Sequence, residues 1–594
     1  MVAGAKLGLI ANYGSDVPFY DQWSAEGDTV IRWFSGASLE LRFLFFPHGE
    51  HTPALTRITA LGLFVLNSHH WDCRVEMLAS VGLFAGFGLI AWQVIRDVLP
   101  RAWWWPVLLL SAVLFSMPSN HENFLWGFQT QFIYLLFFGL AHLWCTLREE
   151  RVGRSWWIGQ LAGICGLFSI ASGWMSAVVL VIVATWRLFG GVNRRWALTT
   201  LGVNLGLAAL GLWLLSHALN PGESKPDLLL NFIKSLGFFL GWPLYGWWPV
   251  FVLQAPAIWF LWASRNRWHE PAVRLLVSWI GWAWLLAAAF AYGRGSASGA
   301  VAVRYFDPLT TGLVANGVAL AWLLASRSTH ARWTKLGLAG AWLGALSFGV
   351  YQENRPAKVA ADLEWGRYFH GEQRAVLDSF FVGNDPATLE ANPTVRPFFP
   401  HMRFTLDVLR DPLARQGLAP SISPPLVLQI DPARSRGAVV ARRAAPGSPY
   451  GARVFSVEGG PSGAELVTLP VTASGDALWR LKFRGRLQPG VTEIYLEDET
   501  GRRFENLSPA AASGEHWRWI NLAADGRGLR LIARVPAGDR LEISEPIELG
   551  RLSWWAPKIA AQWKLFIGAG LMAMAIGLWR FRSARVHSAV THTN

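Results

Sequence analysis

Long apolar stretches separated by short polar loops dominate the first 351 residues of the chain. A helix that crosses a membrane needs about 20 predominantly apolar residues. Shorter apolar stretches at 38–46 and 53–66 are expected to lie along the membrane surface, and 228–243 is expected to be an interfacial or half-membrane helix. The pattern therefore indicates a mainly α polytopic membrane protein. The predicted spans lie at about 77–97, 103–118, 127–148, 156–171, 173–189, 196–218, 246–264, 272–292, 306–327, 334–351 and 561–580.

The pattern changes after residue 351. Residues 352–425 are polar with a helical periodicity, whereas 426–550 contain short alternating runs, such as Leu478 to Phe483, between Gly, Pro, Asp and Asn. Alternating runs at regular spacing are typical of a β-sandwich. The expected organisation is a membrane domain (1–351), an external helical region (352–425), an external β-sandwich (426–550), a last transmembrane helix (561–580) and a cytoplasmic, disordered tail (581–594).

Charge gives this layout an orientation. Only 16% of the residues are charged, against about 25% in soluble domains. The net charge of +13 is concentrated in alternate short loops, which by the positive-inside rule are cytoplasmic. No basic run is interleaved with stacking aromatics, so nucleic acid is not an expected partner. The loop at 13–52 and the region 352–560 are then expected outside, as in a multi-pass protein of the bacterial inner membrane.

Two further features of the sequence shape the expectations. The apolar stretch from Lys6 to Ala11 is too short to span a bilayer, so a first transmembrane helix is expected to have lost most of its length. Cys73, Cys145 and Cys165 have no metal-like spacing, and no disulfide framework is expected.

The first outer loop, 13–52, carries three candidate catalytic carboxylates: Asp16, Asp21 and Glu50. Carboxylates beside a bilayer are costly unless they are used or paired. Asp16 precedes Val-Pro, which favours a turn. Asp21 lies in an aromatic stretch and is favoured as a general base, with a helix cap as the alternative.

His48, Glu50 and His51 form a His-x-Glu-His cluster in the same loop. Their spacing matches no standard zinc signature, so a divalent metal is possible but no ligand motif supports one, and no cofactor is assigned. The cluster is more typical of groups that bind sugar hydroxyls or orient a base. The alternative is an anchor for the loop at the level of the lipid headgroups.

Two later outer turns supply further candidate binding residues. Glu122 lies seven residues before Gln129, so the two would share a helical face if the helix began early. Arg294 and Arg304, the latter beside Tyr305, break the charge rule on the outer face, and arginine binds phosphate bidentately. The alternative for the arginines is snorkelling or an ion pair with Glu122.

Together these features resemble the GT-C superfamily of membrane glycosyltransferases, which use polyprenyl-phosphate sugars. The matching features are the acidic residue in the first outer loop, at Asp21 within 18–23, the two interfacial helices that follow, the Arg304-Tyr305 loop and the soluble outer domain. The stretches 47–51 and 122–129 look like those of bacterial members. The resemblance covers about 1–351 and implies a catalytic base at Asp21 and phosphate binding by Arg304. The missing first span departs from the family pattern.

The expected function is transfer of a hexose or pentose from a polyprenyl-phosphate donor to a glycan, lipid or protein acceptor on the outer face of the membrane. Asp21 would deprotonate the acceptor hydroxyl, and Arg304 with Arg294 would hold the lipid phosphate. The alternative is a non-enzymatic flippase or polysaccharide-export component, which should carry charged or broken helices at mid-membrane. In the sandwich, Trp517 and Trp519 are candidate glycan contacts, and Trp479 is expected in the core.

Overall fold

The computed structural model contains a helical bundle, a second helical layer formed by Pro356–Gly383 and Met402–Arg410, and a β-rich region. It describes residues 1–590 except 33–40, 191–192, 218–228, 295–300, 327–331, 384–386, 388, 390–401, 412–413, 416, 424, 443–452, 472–477, 489, 505–513 and 524–527. The second helical layer packs on the described part of the loop 13–52, and this end of the bundle is called outer after its predicted orientation.

Helices occupy nearly every predicted span. The helices of the bundle are α1 Val2–Tyr13, α2 Ala54–Leu66, α3 Cys73–Val98, α4 Trp104–Phe115, α5 Thr130–Leu147, α6 Arg154–Leu167, α7 Met175–Phe189, α8 Arg194–Ser216, α9 Leu229–Leu240, α10 Trp247–Leu253, α11 Ala255–Ala263, α12 Pro271–Arg294, α13 Phe306–Ala325 and α14 Arg332–Glu353. Those that follow are α15 Pro356–Gly383, α16 Met402–Arg410, α17 Arg551–Ala561 and α18 Trp563–Val590.

Among the described residues, five helices are long and apolar enough to cross a membrane, or six if the bent pair α17–α18 counts as one span. The ends of α12 show the scale of the bundle. At one end Arg274 forms a buried ion pair with Glu150, which also binds Arg187. At the other end Arg294 binds Glu50. The twenty residue steps from Arg274 to Arg294 correspond to about 30 Å of helix, the thickness of a hydrocarbon core.

Three predicted elements differ in the structure. The span at 246–264 is divided into α10 and α11, because Pro256 lacks the N–H that a continuous helix needs. Asn316 accepts the nearby N–H of Ala257 at 3.1 Å. The expected helix at 38–46 is a 3₁₀ turn over Leu41–Phe45, with 38–40 outside the described residues. The tail expected to be disordered continues α18 as far as Val590, since each added residue of a formed helix gains a hydrogen bond.

The first outer loop is more regular than its polar sequence predicts. A π-helix spans Trp23–Arg32 and buries Trp23, Glu26 and Ile31, among others. Arg57 of α2 is buried beside it and donates to the carbonyl of Ala25 at 2.9 Å. π-Helices are rare and occur frequently at functional sites.

The outer helical layer packs directly on this loop. The shared core combines loop and outer-layer side chains, among them Trp23, Ile31, Leu377, Phe380 and Leu409. Gln373 of α15 also donates to the carbonyl of Pro18 at 2.7 Å. The loop is therefore held between the bundle and the outer layer.

The β-rich region consists of two antiparallel sheets that share one core. In one sheet β4 is central: β9 and β10 pair with successive parts of it, β7 pairs along it, and β2 and then β1 follow β9. The other sheet has the order β3-β8-β5-β6. The strands are β1 Ala438–Arg442, β2 Val454–Glu458, β3 Ala464–Val467, β4 Leu478–Gly485, β5 Glu493–Glu497, β6 Arg503–Phe504, β7 Gly514–Ala523, β8 Arg530–Val535, β9 Arg540–Ser544 and β10 Ile547–Leu549.

The tryptophans of this region differ in their surroundings. Trp479 is fully buried between the sheets, which confirms its predicted core position. Trp517 is partly exposed, and Arg484 lies over its ring. The side chain of Trp519 lies outside the described residues.

Candidate functional site

Asp21 stands in a turn that leads into the π-helix. The preceding residue, Tyr20, has a φ of +51°, a conformation that residues other than glycine rarely adopt. Gln22 closes the turn, because its Oε1 accepts the backbone N–H of Phe19 at 3.1 Å. The Phe19 and Tyr20 rings both pack on Trp126, with centroids 4.9 and 5.8 Å away. The chain is thus fixed on both sides of Asp21.

Two buried carboxyl groups lie beneath this turn and share one donor. Gln22 Nε2 donates to Glu26 at 3.0 Å and to Glu76 at 2.9 Å, and Trp71 also donates to Glu76. Burial raises the pKa of Glu26 to about 7. A side chain at Gly127 would collide with Glu76 and Gln22. A glycine at this position therefore lets the second outer turn pack closely on the first loop.

Asp16 is held in a different environment. Its two carboxylate oxygens accept hydrogen bonds from the backbone and the hydroxyl of Ser421, at 2.9 and 2.7 Å, and Arg74 lies 3.3 Å away. Burial alone would raise the pKa of Asp16, but Arg74 and the Ser421 hydrogen bonds outweigh it and hold the pKa below its usual range. Asp16 thus ties the loop to the segment that leads into the β-rich region.

The sequence His48 to His51 folds as a tight turn. The two histidines pair through their backbones, at 2.8 and 3.0 Å, and Gly49 takes the left-handed φ of +55° that favours glycine. The turn directs His48 toward Asp21, with 3.8 Å between Nε2 and Oδ1. The His48 ring packs edge-on against Phe128. The side chain of Asp21 is 30% exposed.

Glu50, in the same turn, forms a bidentate ion pair with Arg294, at 2.8 and 3.0 Å. Arg294 Nε donates to the hydroxyl of Tyr305 at 3.1 Å. The Tyr305 ring is buried against other aromatic side chains, including Phe132 and Phe290. Packing and hydrogen bonds therefore fix the guanidinium of Arg294 at the outer end of α12.

A second ion pair joins Glu122 to Arg304. Glu122 accepts from Arg304 Nη1 at 3.2 Å and from its backbone N–H at 3.1 Å. Asn123 donates to the Arg304 carbonyl and to Asp307, both at 2.9 Å, and Asn120 donates to Asp307 at 2.8 Å. The fully buried Asp307 thus positions the turn that carries Glu122 against the turn that carries Arg304.

The charges of these groups act on shared neighbours. Partial burial raises the pKa of the Tyr20 phenol, Asp21 raises it further, and Arg304 lowers it. The charges of Asp21 and Arg304 therefore both lie near the Tyr20 hydroxyl.

Burial lowers the pKa of His51 to about 4, so this ring is neutral at pH 7. Its Nδ1 accepts the N–H of Ala171 at 3.2 Å, which places the ring proton on Nε2.

Two cavities lie on either side of the 3₁₀ turn Val303–Tyr305. The first, the apolar cavity, has a volume of about 430 Å³. It ends at Glu50, His51, Arg294 and Tyr305 and is otherwise lined mainly by apolar side chains, among them Ile170, Trp174, Met175, Leu212, Leu215 and Phe290. The second, the outer pocket, has a volume of about 460 Å³. Tyr20, Glu122, Trp126 and Val303 form one side of it, and α15 forms the other.

The structure brings most of the predicted site residues to this junction. Five of them line a cavity, namely Glu50, His51, Arg294 and Tyr305 in the apolar cavity and Glu122 in the outer pocket. Asp21, His48 and Arg304 contact or adjoin these residues but line neither cavity. Gln129 is buried and lines neither cavity. It does not share a helical face with Glu122, because the first short helix ends at Leu125 and Trp126 is extended. Asp16 lies away from the junction, in its contact with Ser421.

Several residues of the site were not predicted from the sequence. Asp307 carries a signal that would have found it, since it is an acidic residue within an apolar stretch. Asp362 and Trp365 of α15 line the outer pocket, but they are far from the loop in sequence. Only the packing of the outer layer on the loop brings them there.

Among the described residues, no group of three or more His, Cys, Asp or Glu side chains is arranged to hold a metal ion. No protein-family model matches the sequence, and no curated protein matches it.

Proposed function

We propose that the protein is a membrane glycosyltransferase of the GT-C type, which moves a sugar from a polyprenyl-phosphate donor to an acceptor hydroxyl on the outer face of the membrane. One observation carries the proposal. A mainly apolar cavity of about 430 Å³ has the fixed Arg294 in its lining, and a second pocket lies on the other side of the same turn, lined by Tyr20, the neighbour of Asp21.

The donor has two parts, an isoprenoid chain and a phosphate, and each suits a different part of the apolar cavity. The isoprenoid chain needs an apolar lining, and its phosphate needs cationic donors at the end of that lining. Arg294 lines the cavity and supplies a forked donor that matches phosphate oxygens. Arg304 does not line it, but it precedes Tyr305 of the lining and is proposed as the second forked donor. Glu50 and Glu122 hold both guanidinium groups in place, so a phosphate would share these donors with the carboxylates.

Asp21 is the base in this proposal. An acceptor hydroxyl attacks the anomeric carbon, and its proton passes to the Asp21 carboxylate. The bond from the anomeric carbon to the phosphate oxygen breaks, and polyprenyl phosphate leaves with the electron pair. The two arginines stabilise the charge that develops on this leaving group. His48 orients the Asp21 carboxylate from 3.8 Å.

The proposal is tested with purified protein in lipid nanodiscs and a radiolabelled polyprenyl-phosphate hexose or pentose. Donor affinity and donor consumption are measured for the wild type and for Arg294→Gln and Arg304→Gln. Each arginine variant should bind the donor about 10- to 100-fold more weakly, since a hydrogen bond to a charged group contributes about 1.5–3 kcal/mol. Arg151→Gln, at an exposed position in the loop before α6, should bind normally. Movement of intact donor across proteoliposomes without sugar release would favour a flippase instead.

A further inference from the structure

We infer that the outer pocket binds the acceptor, and that this acceptor is an uncharged saccharide. The inference rests on the proposed glycosyl transfer and adds the class of acceptor and the residues that recognise it. The pocket lies between the first outer loop and α15, two layers that the buried contacts around Gln373 and Phe380 hold together.

Aromatic rings form opposite sides of the pocket. On the loop side, the Tyr20 and Trp126 rings are stacked at an interplanar angle of 15°. On the α15 side, Trp365 packs on Phe369, with centroids 4.1 Å apart. Tryptophan and tyrosine combine an apolar ring face with a polar edge. Such faces suit the C–H surface of a pyranose ring, whose hydroxyls point outward from it.

Polar groups between these rings suit the hydroxyls. Glu122 and Asp362 provide carboxylate oxygens that accept hydrogen bonds, and His121 and His370 also line the pocket. Burial lowers the pKa of His370 to about 4. The ring is therefore neutral at pH 7 and adds no charge to the lining.

The charges of the lining distinguish the two cavities. The outer pocket is lined by Asp362, by Glu122, which is paired with Arg304, and by one cation, Arg367, which already binds Glu364 and the carbonyl of Asn12. A phosphate or a uronic acid would meet the like charge of Asp362 there, and both arginines already have a carboxylate partner. The apolar cavity instead ends at Arg294. The phosphate of the donor is therefore assigned to the apolar cavity and an uncharged ring to the outer pocket.

The proposed base does not line the pocket, but its neighbour in the chain does. Tyr20, which precedes Asp21, lines it, and so does Val303, which precedes Arg304. A saccharide held between the aromatic sides would thus present a hydroxyl next to Asp21 and close to the arginine that holds the leaving group.

Two glycines of α15 provide a matched test. A side chain added at Gly366 or at Gly371 meets no atom within 4 Å, so both changes are compatible with the fold. Only Gly366 lines the pocket. Gly366→Leu should fill the pocket, whereas Gly371→Leu on the same helix should not.

Binding is measured by isothermal titration of the purified full-length protein in nanodiscs with neutral di- to tetrasaccharides of hexoses and N-acetylhexosamines, beside uronic-acid chains of equal length. Wild type and Gly371→Leu should bind at least one neutral saccharide, and Gly366→Leu should bind it at least 10-fold more weakly. Donor affinity should be the same in all three proteins. Equal saccharide binding by Gly366→Leu, equal binding of uronic-acid chains, or no neutral saccharide bound by the wild type would overturn the assignment.

A second pair of variants tests the polar contacts. Asp362→Asn should weaken saccharide binding at least threefold and raise the acceptor KM with little change in kcat, while Glu372→Gln, on the same helix but outside the pocket lining, should change neither. The same effect in both variants would overturn the assignment. Donor cleavage, measured on the same samples, reports separately on glycosyl transfer. If the variants cleave the donor as the wild type does and their saccharide binding is unchanged, the proposed glycosyl transfer stands and the assignment of the acceptor to the outer pocket is wrong.

Discussion

Two carboxylates five residues apart, Asp16 and Asp21, have opposite surroundings. Both oxygens of Asp16 are already hydrogen-bonded to Ser421, and Arg74 neutralises its charge. Asp21 is partly exposed and faces His48 across 3.8 Å. A carboxylate whose two oxygens already accept hydrogen bonds holds parts of the fold together. A partly exposed carboxylate beside a histidine can instead take up a proton.

Asp16→Asn should therefore lower the stability of the fold rather than the rate of transfer. The amide cannot accept on both sides, and Arg74 loses a charged partner, at a cost of about 1–3 kcal/mol. Thermal unfolding of the purified protein measures this, with Asp539→Asn in an exposed turn as the control. An unchanged melting temperature together with lost transfer would instead make Asp16 the base.

The π-helix and the turn that precedes it depend on contacts that a hydropathy pattern does not contain. The polar composition of 13–52 predicted a loop, and a helix beginning near Gln22 entered only through the alternative that Asp21 caps it; Trp23–Arg32 is helical. Its stability comes from distant partners, namely Arg57 and the outer layer. Local pattern predicts where α3 or α12 lies, because their apolar length is sufficient, but it cannot predict an element that tertiary packing supports.

Gly127→Ala should disturb the π-helix and the turn that precedes it, although Gly127 belongs to neither. The added methyl group would meet Glu76 and Gln22 and should displace the turn that carries Asp21, so transfer should fall at least 10-fold. Gly82→Ala is the control, since a side chain there meets open space. Equal activity of the two variants would show that the Gln22 network does not position Asp21.

The buried pair of Glu26 and Glu76 predicts a pH dependence. The pKa of Glu26 rises from 4.5 in the unfolded chain to about 7 in the fold, so between these values the folded state keeps a proton that the unfolded state has lost. This group's contribution to stability therefore falls as pH rises through that window, by an amount on the order of 3 kcal/mol. Glu26→Gln should show a smaller fall in melting temperature between pH 5 and pH 8. Parallel pH profiles for variant and wild type would contradict this.

Across the molecule, the sequence contained enough to predict the helical bundle and the β-rich region. Apolar length defines most spans, and alternation defines strands such as β4, in which Trp479 points inward. The junction of the two cavities was only partly predictable. Asp21, Glu50 and Arg304 stand out as charges beside a bilayer, but Trp365 resembles any exposed helix residue until α15 packs on the loop.

The orientation of the bundle remains a prediction that labelling can check. The Glu150 cluster should be cytoplasmic and α15 external. A cysteine at position 364 should react with an impermeant maleimide applied to intact cells, and a cysteine at position 151 should react only after permeabilisation. Both original side chains are well exposed, so access depends on the side of the membrane. The reverse pattern would refute the topology.

Asp21 is proposed to remove a proton from an acceptor hydroxyl. The most direct measurement is single-turnover transfer from a polyprenyl-phosphate sugar by wild type and Asp21→Asn, with donor affinity determined on the same preparations. Asparagine keeps the size of aspartate but removes its basicity, so the rate should fall about 10²–10⁴-fold while donor affinity and melting temperature stay unchanged. Full transfer by Asp21→Asn, with the same donor bound equally well, would contradict the account.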